Sequence, residues 1–237
     1  MTAPMLTVVM PACNEEGAIE SALDEVRREI LDRVASADCL VIDDGSTDAT
    51  GAILDRIAAA DPRVRIIHQA NTGHGPALRS GMVRASGDWL FLLDSDRQIP
   101  TEAFAEFWDI RSGHALVIGV RARRHDPFIR VVLSRVIRIV IRVLFGVRLR
   151  DANAPFKLMR RGVWESARGV IPEGALAPSL FLAIYARSRG FDVLEREVPH
   201  RARQSGVGSL RYVRLARFCL RGFVQLLAFR GRLRRCR

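Results

Sequence analysis

The stretch Gly87-Asp88-Trp89-Leu90-Phe91-Leu92-Leu93-Asp94-Ser95-Asp96-Arg97-Gln98 decides the fold. Five large apolar residues in succession, 89–93, read as a strand covered on both faces, the habit of parallel sheets rather than of half-exposed antiparallel ones. The run breaks at two carboxylates one residue apart, Asp94 and Asp96, so both acids sit at the strand's carboxyl end. Upstream the same grammar repeats. Residues 6–10 form a short apolar run closed by Pro11, and residues 39–42 a second that ends in Asp43-Asp44-Gly45-Ser46-Thr47-Asp48. Residues 63–68 read as another strand. Helical spacing fills the gaps: Ile19, Leu23, Val26, Ile30 and Val34 over residues 15–34, a segment through Ile53, Leu54 and Ile57 that Ser46 or Thr47 is placed to cap, and residues 74–85. This alternation predicts an α/β fold, a mostly parallel sheet flanked by helices on both faces. Ligands of such sheets bind beyond the carboxyl ends of the strands. The polar clusters 11–16, 43–48 and 94–98 all fall there, around one crevice.

The later half changes character. Residues 116–120 read as a strand, an Arg-rich loop follows at 121–126, and residues 128–145 form an apolar helix with Arg135, Arg138 and Arg142 on one side. In the C-terminal segment 210–229, Arg211, Arg214, Arg217 and Arg221 gather on one side, away from Tyr212, Leu215, Phe223, Leu226 and Leu227. A basic stripe beside a broad apolar face is what an in-plane interfacial helix needs. We therefore divide the chain into an α/β domain, 1–209, with an interfacial helix at about 127–147, and a basic amphipathic segment, 210–237, expected to lie on a membrane surface.

Composition agrees with that division. The 237 residues are 49% apolar, enough for a buried core and against disorder. The net charge of +11 is unevenly placed: residues 121–150 carry +8 and residues 211–237 carry +9, which leaves a mildly acidic remainder. Such segments suit an anionic partner, nucleic acid or phospholipid. The absence of an aromatic-interleaved basic motif or a reader module argues for no nucleic acid. Cys13, Cys39, Cys219 and Cys236 show no CxxC spacing, so neither a zinc site nor a disulfide framework is expected, and a reducing, cytoplasmic setting is. The N-terminus lacks a secretory signal, and no window of about 18–20 residues is free of charge, so the chain is expected to lie on a membrane without crossing it.

Paired acids at a strand end are hard oxygen ligands suited to Mg²⁺ or Mn²⁺. A cation held there would stabilise charge developing on a departing nucleotide diphosphate. Taken together, Val9-Met10-Pro11-Ala12-Cys13-Asn14-Glu15-Glu16, residues 41–48 and residues 87–96 resemble the family 2 glycosyltransferases of GT-A fold. More narrowly, the chain resembles the polyprenyl-phosphate, dolichol-phosphate mannose synthase-like branch. The resemblance covers roughly residues 5–210, with the motifs in the family's order. It implies that Pro11, Asn14, Glu15, Asp43 and Asp44 bind the donor's base and ribose, and that Gly75, in a loop similar to the family's N-x-G-x-G-x-A, lets backbone approach the donor. His74 is expected to pack or hydrogen-bond within that loop. By the same resemblance Asp94, Ser95, Asp96 and Gln98 hold the donor diphosphate and the metal, with Asp94, Asp96 and Gln98 as ligands and Asp96 catalytic.

A second cluster, Arg150-Asp151-Ala152-Asn153-Ala154-Pro155-Phe156-Lys157-Leu158-Met159-Arg160-Arg161, resembles the branch's D-x-x-x-x-F-K-L-x-R-R block and implies a catalytic position for Asp151 beside the acceptor. A lipid phosphate is already largely anionic at neutral pH and needs positioning; a hydroxyl acceptor would need a base, with Asp151 the first candidate. A structural ion pair of Asp151 with Arg150 or Lys157 is the competing expectation. Residues 119–121 and 130–134 are similar to the family's acceptor-phosphate pattern, which implies Arg121, Arg130 and Ser134. The loop 200–209 resembles one that closes over the donor diphosphate, with Arg203 as the contact. The resulting expectation is an inverting, metal-dependent hexosyltransferase that takes a UDP- or GDP-sugar and a polyprenyl phosphate acceptor, peripherally bound to the inner face of the cell membrane. The alternative is transfer to a sugar or lipid hydroxyl.

Overall fold

The computed structural model describes residues 5–122, 128–201 and 212–235. Strand β1 (Leu6–Ala12) leads through α1 (Ile19–Val26) to β2 (Ala37–Asp44), α2 (Thr50–Ala60), β3 (Val64–Gln69), α3 (His74–Arg84) and β4 (Trp89–Leu92). The second half adds α4 (Phe104–Ile110), β5 (Leu116–Arg121), α5 (Phe128–Phe145), β6 (Lys157–Arg160), α6 (Arg161–Ala167), α7 (Pro178–Ser188), β7 (Val193–Val198) and α8 (Tyr212–Arg235). One seven-stranded sheet runs in the order β3-β2-β1-β4-β6-β5-β7. Every pairing is parallel except those of β6 with β4 and β5.

Alternation along the strands builds two cores. Leu6, Val8 and Met10 point to one face, with Phe91, Val41 and Leu158 beside them, and are covered by Leu23 and Val26 of α1, Leu54 of α2 and Phe107 of α4. Val9, Leu90, Leu92 and Met159 point to the other face, under α3, α6 and α7, with Phe229 of α8 joining them. Burial on both faces is why these strands read as continuous apolar runs. Gly81 lets α3 lie close on the sheet, since a Cβ there would meet Val9 Cγ1 at 2.4 Å.

The expected helix at 128–145 is observed at those bounds, and the C-terminal helix runs on to Arg235. The cap of α2 differs from expectation. Ser46 Oγ donates to Asp43 and Thr47 N–H to Asn14 Oδ1, which ties both to the preceding loops. The helix begins later, at Thr50, whose N–H is accepted by Asp48 Oδ1 at 2.9 Å.

Helix α8 is part of the body as well as its surface. Phe229 is fully buried, its ring 4.9 Å from Phe181 and 5.8 Å from Phe145. The outward faces of α5 and α8 expose Ile139, Val143, Phe218, Leu220, Phe223, Val224 and Leu227 beside exposed Arg135, Arg138, Arg217 and Arg221. Among the described residues, no helix is long and apolar enough to cross a membrane.

Candidate active site

Parallel β1, β2 and β4 deliver their carboxyl-terminal loops to one edge of the sheet. Because β6 runs the other way, with Leu92 opposite Lys157, the segment before β6 arrives at that edge too. Three loops and one lead-in segment thus meet where the sequence placed a crevice.

The first two loops are stitched together. Asn14, in a left-handed conformation at φ 54°, donates its N–H to Ser46 Oγ at 3.0 Å and accepts the Thr47 N–H at 2.8 Å. Glu15 N–H donates to Thr50 Oγ1, and Glu16 Oε2 accepts from Ala49 N–H. Asp43 and Asp44 are both buried and both committed to neighbouring chain. Asp43 accepts from the Ser46 hydroxyl at 2.5 Å and faces His68 Nδ1 at 2.7 Å, while His68 Nε2 faces Asp55 at 3.0 Å. Those hydrogen bonds, to Asp55 first and Asp43 next, raise the pKa of His68 above its ordinary value. Asp44 accepts from the Thr72 and Gly73 amides, the Thr72 hydroxyl and Gln69. Burial alone would raise the Asp44 carboxyl, but these donors outweigh it and hold it below the usual range.

Gly75, in the first turn of α3, is also placed against a neighbouring segment. A Cβ at Gly75 would lie 2.3 Å from the Ala175 carbonyl oxygen and 2.5 Å from that of Leu176, so packing against that segment requires glycine there. Gly73, at φ 92°, supplies the turn into α3. His74 Nε2 reaches Asp94 Oδ1 at 2.9 Å; the charge of Asp94 raises its pKa, outweighing burial, which lowers it. His74 thus hydrogen-bonds, as expected, and does so to the first acid of the Asp94–Asp96 pair.

Asp94, Asp96 and Gln98 are half-buried in the loop that follows β4, and Ser95 between them is buried. Among the described residues no group of three or more His, Cys, Asp or Glu side chains is arranged to hold a metal. Two carboxylates and an amide are nonetheless a suitable hard-oxygen set for Mg²⁺ or Mn²⁺, ions that commonly take one or two carboxylates and complete their shell with substrate phosphate and water. The residues therefore fit such an ion bound together with a diphosphate.

Beside this loop lies a polar cavity of about 270 Å³, lined in part by Gln98, Arg121, Ser134, Arg150, Asp151 and Asn153. Arg121 and Asp151, both largely buried, form a two-pronged pair, Nε to Oδ2 at 2.7 Å and Nη2 to Oδ1 at 3.0 Å. The ion pair expected with Arg150 or Lys157 is not formed. The Arg150 guanidinium turns instead to Glu197 while its backbone N–H donates to Glu195, and buried Lys157 donates to the Ala154 carbonyl and, at 2.7 Å, to Ser179 Oγ. The cavity opens beside a larger one of about 630 Å³ that is mostly apolar; Leu133, Ile137, Asn153, Leu180 and Phe218 belong to both. The wall from α7 was not singled out in the sequence, although Pro178 followed by an apolar run is a helix-start signal; the α8 wall, with Phe223 and Leu226, belongs to the amphipathic segment read there. The side chain of Arg130 and the whole of Arg203 lie outside the described residues; Arg201, just before that stretch, donates its N–H to the Gln98 carbonyl at 2.7 Å.

Residues 7–166 match the family model of glycosyl transferase family 2. Polyprenol monophosphomannose synthase of Mycolicibacterium smegmatis is 30% identical over 215 residues, covering 86% of this chain and 80% of that protein. An undecaprenyl-phosphate 4-deoxy-4-formamido-L-arabinose transferase of Pseudomonas aeruginosa is 26% identical over 214 residues, covering 89% of this chain. The chain spans only 62% of that transferase's length. Among solved structures, glucosyl-3-phosphoglycerate synthase from Mycobacterium tuberculosis, in complex with Mn²⁺, UDP and glucosyl-3-phosphoglycerate, superposes with a TM-score of 0.71 at 21% identity. It covers 96% of this chain and 80% of that one, a likeness of fold.

Proposed function

The chain belongs to glycosyl transferase family 2, and from that premise we propose that it is an inverting transferase that moves a hexose from a UDP- or GDP-sugar to a polyprenyl phosphate at the cytoplasmic surface of a membrane. One observation carries the acceptor assignment: the polar cavity holding Arg121, Ser134 and Asp151 adjoins a large apolar one. A phosphate head joined to a hydrocarbon tail needs that pairing. The sequence relatives named for polyprenol and undecaprenyl phosphate support the same reading.

The donor's base and ribose rest on the stitched loops that carry Pro11, Asn14, Glu15, Asp43 and Asp44. Asp94, Asp96 and Gln98 would hold the cation, and with Ser95 the diphosphate, to which Arg203 would add a contact. When bound, Mg²⁺ or Mn²⁺ stabilises the negative charge that develops on the departing nucleotide. On the acceptor side, Arg121 and Ser134, with Arg130, hold the phosphate, whose oxygen attacks the sugar carbon from the face opposite the nucleotide. That oxygen is already largely anionic at neutral pH, so the site must position it rather than deprotonate it. Asp151 spends both carboxylate oxygens on Arg121, an arrangement that suits orienting the guanidinium better than acting as a base. The basic, apolar faces of α5 and α8 rest on anionic lipid and bring the cavities to the acceptor. Residues 1–209 form the catalytic domain in this reading, and 210–237 the surface-binding segment.

The test is a donor screen with membrane lipid extract as acceptor. Radiolabel should enter a chloroform-soluble, mild-acid-labile product with the unsubstituted chain and not with Asp96→Asn. An acid-stable lipid product would instead indicate a hydroxyl acceptor, and near-normal transfer in chelator would overturn the metal assignment.

A further inference from the structure

Arg97 stands inside the loop that carries Asp94, Asp96 and Gln98, yet the proposed reaction makes no use of it. Its backbone is left-handed, φ 56°, a conformation that long side chains rarely adopt and that is kept only when the surroundings enforce it. This residue turns the chain between Asp96 and Gln98, and the Gln98 N–H closes the turn on Asp96 Oδ1 at 3.1 Å. The Arg97 side chain leads away from the crevice. Its Nε and Nη2 both donate to Glu25 Oε1, at 2.9 and 2.5 Å.

Glu25 is on the inward face of α1, only 7% exposed, with Ala22 and Val26 buried near it. Its other oxygen, Oε2, faces the Thr101 hydroxyl at 3.4 Å. Each charge would be costly alone. Without Arg97, Glu25 would be an uncompensated buried carboxylate. Without Glu25, a guanidinium next to Asp96 would compete with any cation for the acids of the crevice. Paired, they pin the middle of the loop to α1, while Asp94 stays on His74 and Asp96 closes the turn with Gln98.

We propose that the Arg97–Glu25 pair is a strut that holds the 94–98 loop in its cation-binding shape, so that two residues outside the crevice set the affinity for a divalent ion with a nucleoside diphosphate. This rests on the reading of that loop as the cation and diphosphate site. Both members are positioning residues.

The experiment is calorimetric titration of the full chain with UDP, and in parallel GDP, with Mn²⁺ and again in chelator. Arg97→Ala and Glu25→Gln should each weaken Mn²⁺-dependent nucleotide binding about 10- to 100-fold, the usual result of removing a group that orients a metal ligand. Metal-free binding, which reports the loops at 11–16 and 43–48, should not change. Arg97→Gly should recover part of the loss seen with alanine, because glycine takes a positive φ freely. Should Arg97→Ala fail to fold, Glu25→Gln, which keeps the side-chain shape but removes the charge that holds the guanidinium away from Asp96, carries the test alone. Unchanged Mn²⁺–nucleotide affinity in folded variants overturns the strut, as does an equal loss of metal-free binding. If the unsubstituted chain binds nucleotide with no help from Mn²⁺, the cation-site reading falls and the strut with it.

Discussion

Lys157, the sole lysine of the chain, is fully buried at the start of β6, and burial pushes its ammonium down to about 7 against the partial support of Asp151. In the unfolded chain the same group titrates near about 10.4. Between those two values the native state binds fewer protons than the unfolded state, so stability must rise with pH. The contribution is complete above the unfolded value and is lost as pH falls through the folded one. One proton is worth about 1.4 kcal/mol per pH unit, so the gain from about pH 7 to about pH 9 is roughly 2 kcal/mol. Lys157→Met removes the titration together with the bonds to the Ala154 carbonyl and Ser179 hydroxyl. Other groups titrate in that range too, and subtracting the variant's curve from the parent's cancels them. Urea unfolding followed by circular dichroism at several pH values gives the difference directly. It should climb by roughly 2 kcal/mol over the two units. Parallel curves for parent and variant would refute a neutralised buried lysine. Lys157→Arg, charged throughout, should be destabilised at every pH and show no such climb.

Three further outcomes follow from the geometry. Gly75→Ala drives a methyl into the Ala175 and Leu176 carbonyls; overpacking of that kind costs about 1–3 kcal/mol, and a fluorimetric melting temperature should fall by about 2–4 °C per kcal/mol. His68, its pKa raised by Asp55 and Asp43, stabilises the fold fully below its unfolded pKa and loses that contribution as pH rises through the folded value. The stability gap between the parent and His68→Asn should therefore narrow as pH rises above the ordinary histidine value of about 6.5, and a constant gap would contradict the assignment. Val143→Asp and Val224→Asp alter side chains 73% and 56% exposed on α5 and α8. Each should weaken sedimentation with anionic liposomes and leave the melting temperature nearly unchanged; undiminished sedimentation would remove this face from the membrane.

What the residues announced in advance was the half of the molecule where local rules decide. Strands buried on both faces betray themselves as unbroken apolar runs, so β1, β2 and β4 were legible, as were the polar loops at their ends. Helix α5 was legible because its arginines recur at helical spacing. The Asp151–Arg121 pair was not, because residues 30 apart in sequence are joined only by sheet register. The nearest cations, Arg150 and Lys157, looked the better partners, yet β7 draws Arg150 to Glu197 and burial takes Lys157 to Ser179. The reason for Gly75 was hidden for the same cause, since the carbonyls that exclude a side chain there come from a segment 100 residues on. The cavity wall of α7 likewise has no local signature that separates it from an ordinary core helix.

The reversed direction of β6 has a consequence for how the molecule assembles. Strands β1, β2 and β3 join through short helical crossovers, so the half that carries Asn14, Asp43 and Asp44 can close on nearby chain. Strand β6 must instead find β4 with Leu92 opposite Lys157, across a separation of 65 residues. Such distant pairing is entropically late. The wall that bears Asp151 is thus held by a long-range pairing, whereas the loops that carry Asn14, Asp43 and Asp44 are held by strands adjacent in the chain.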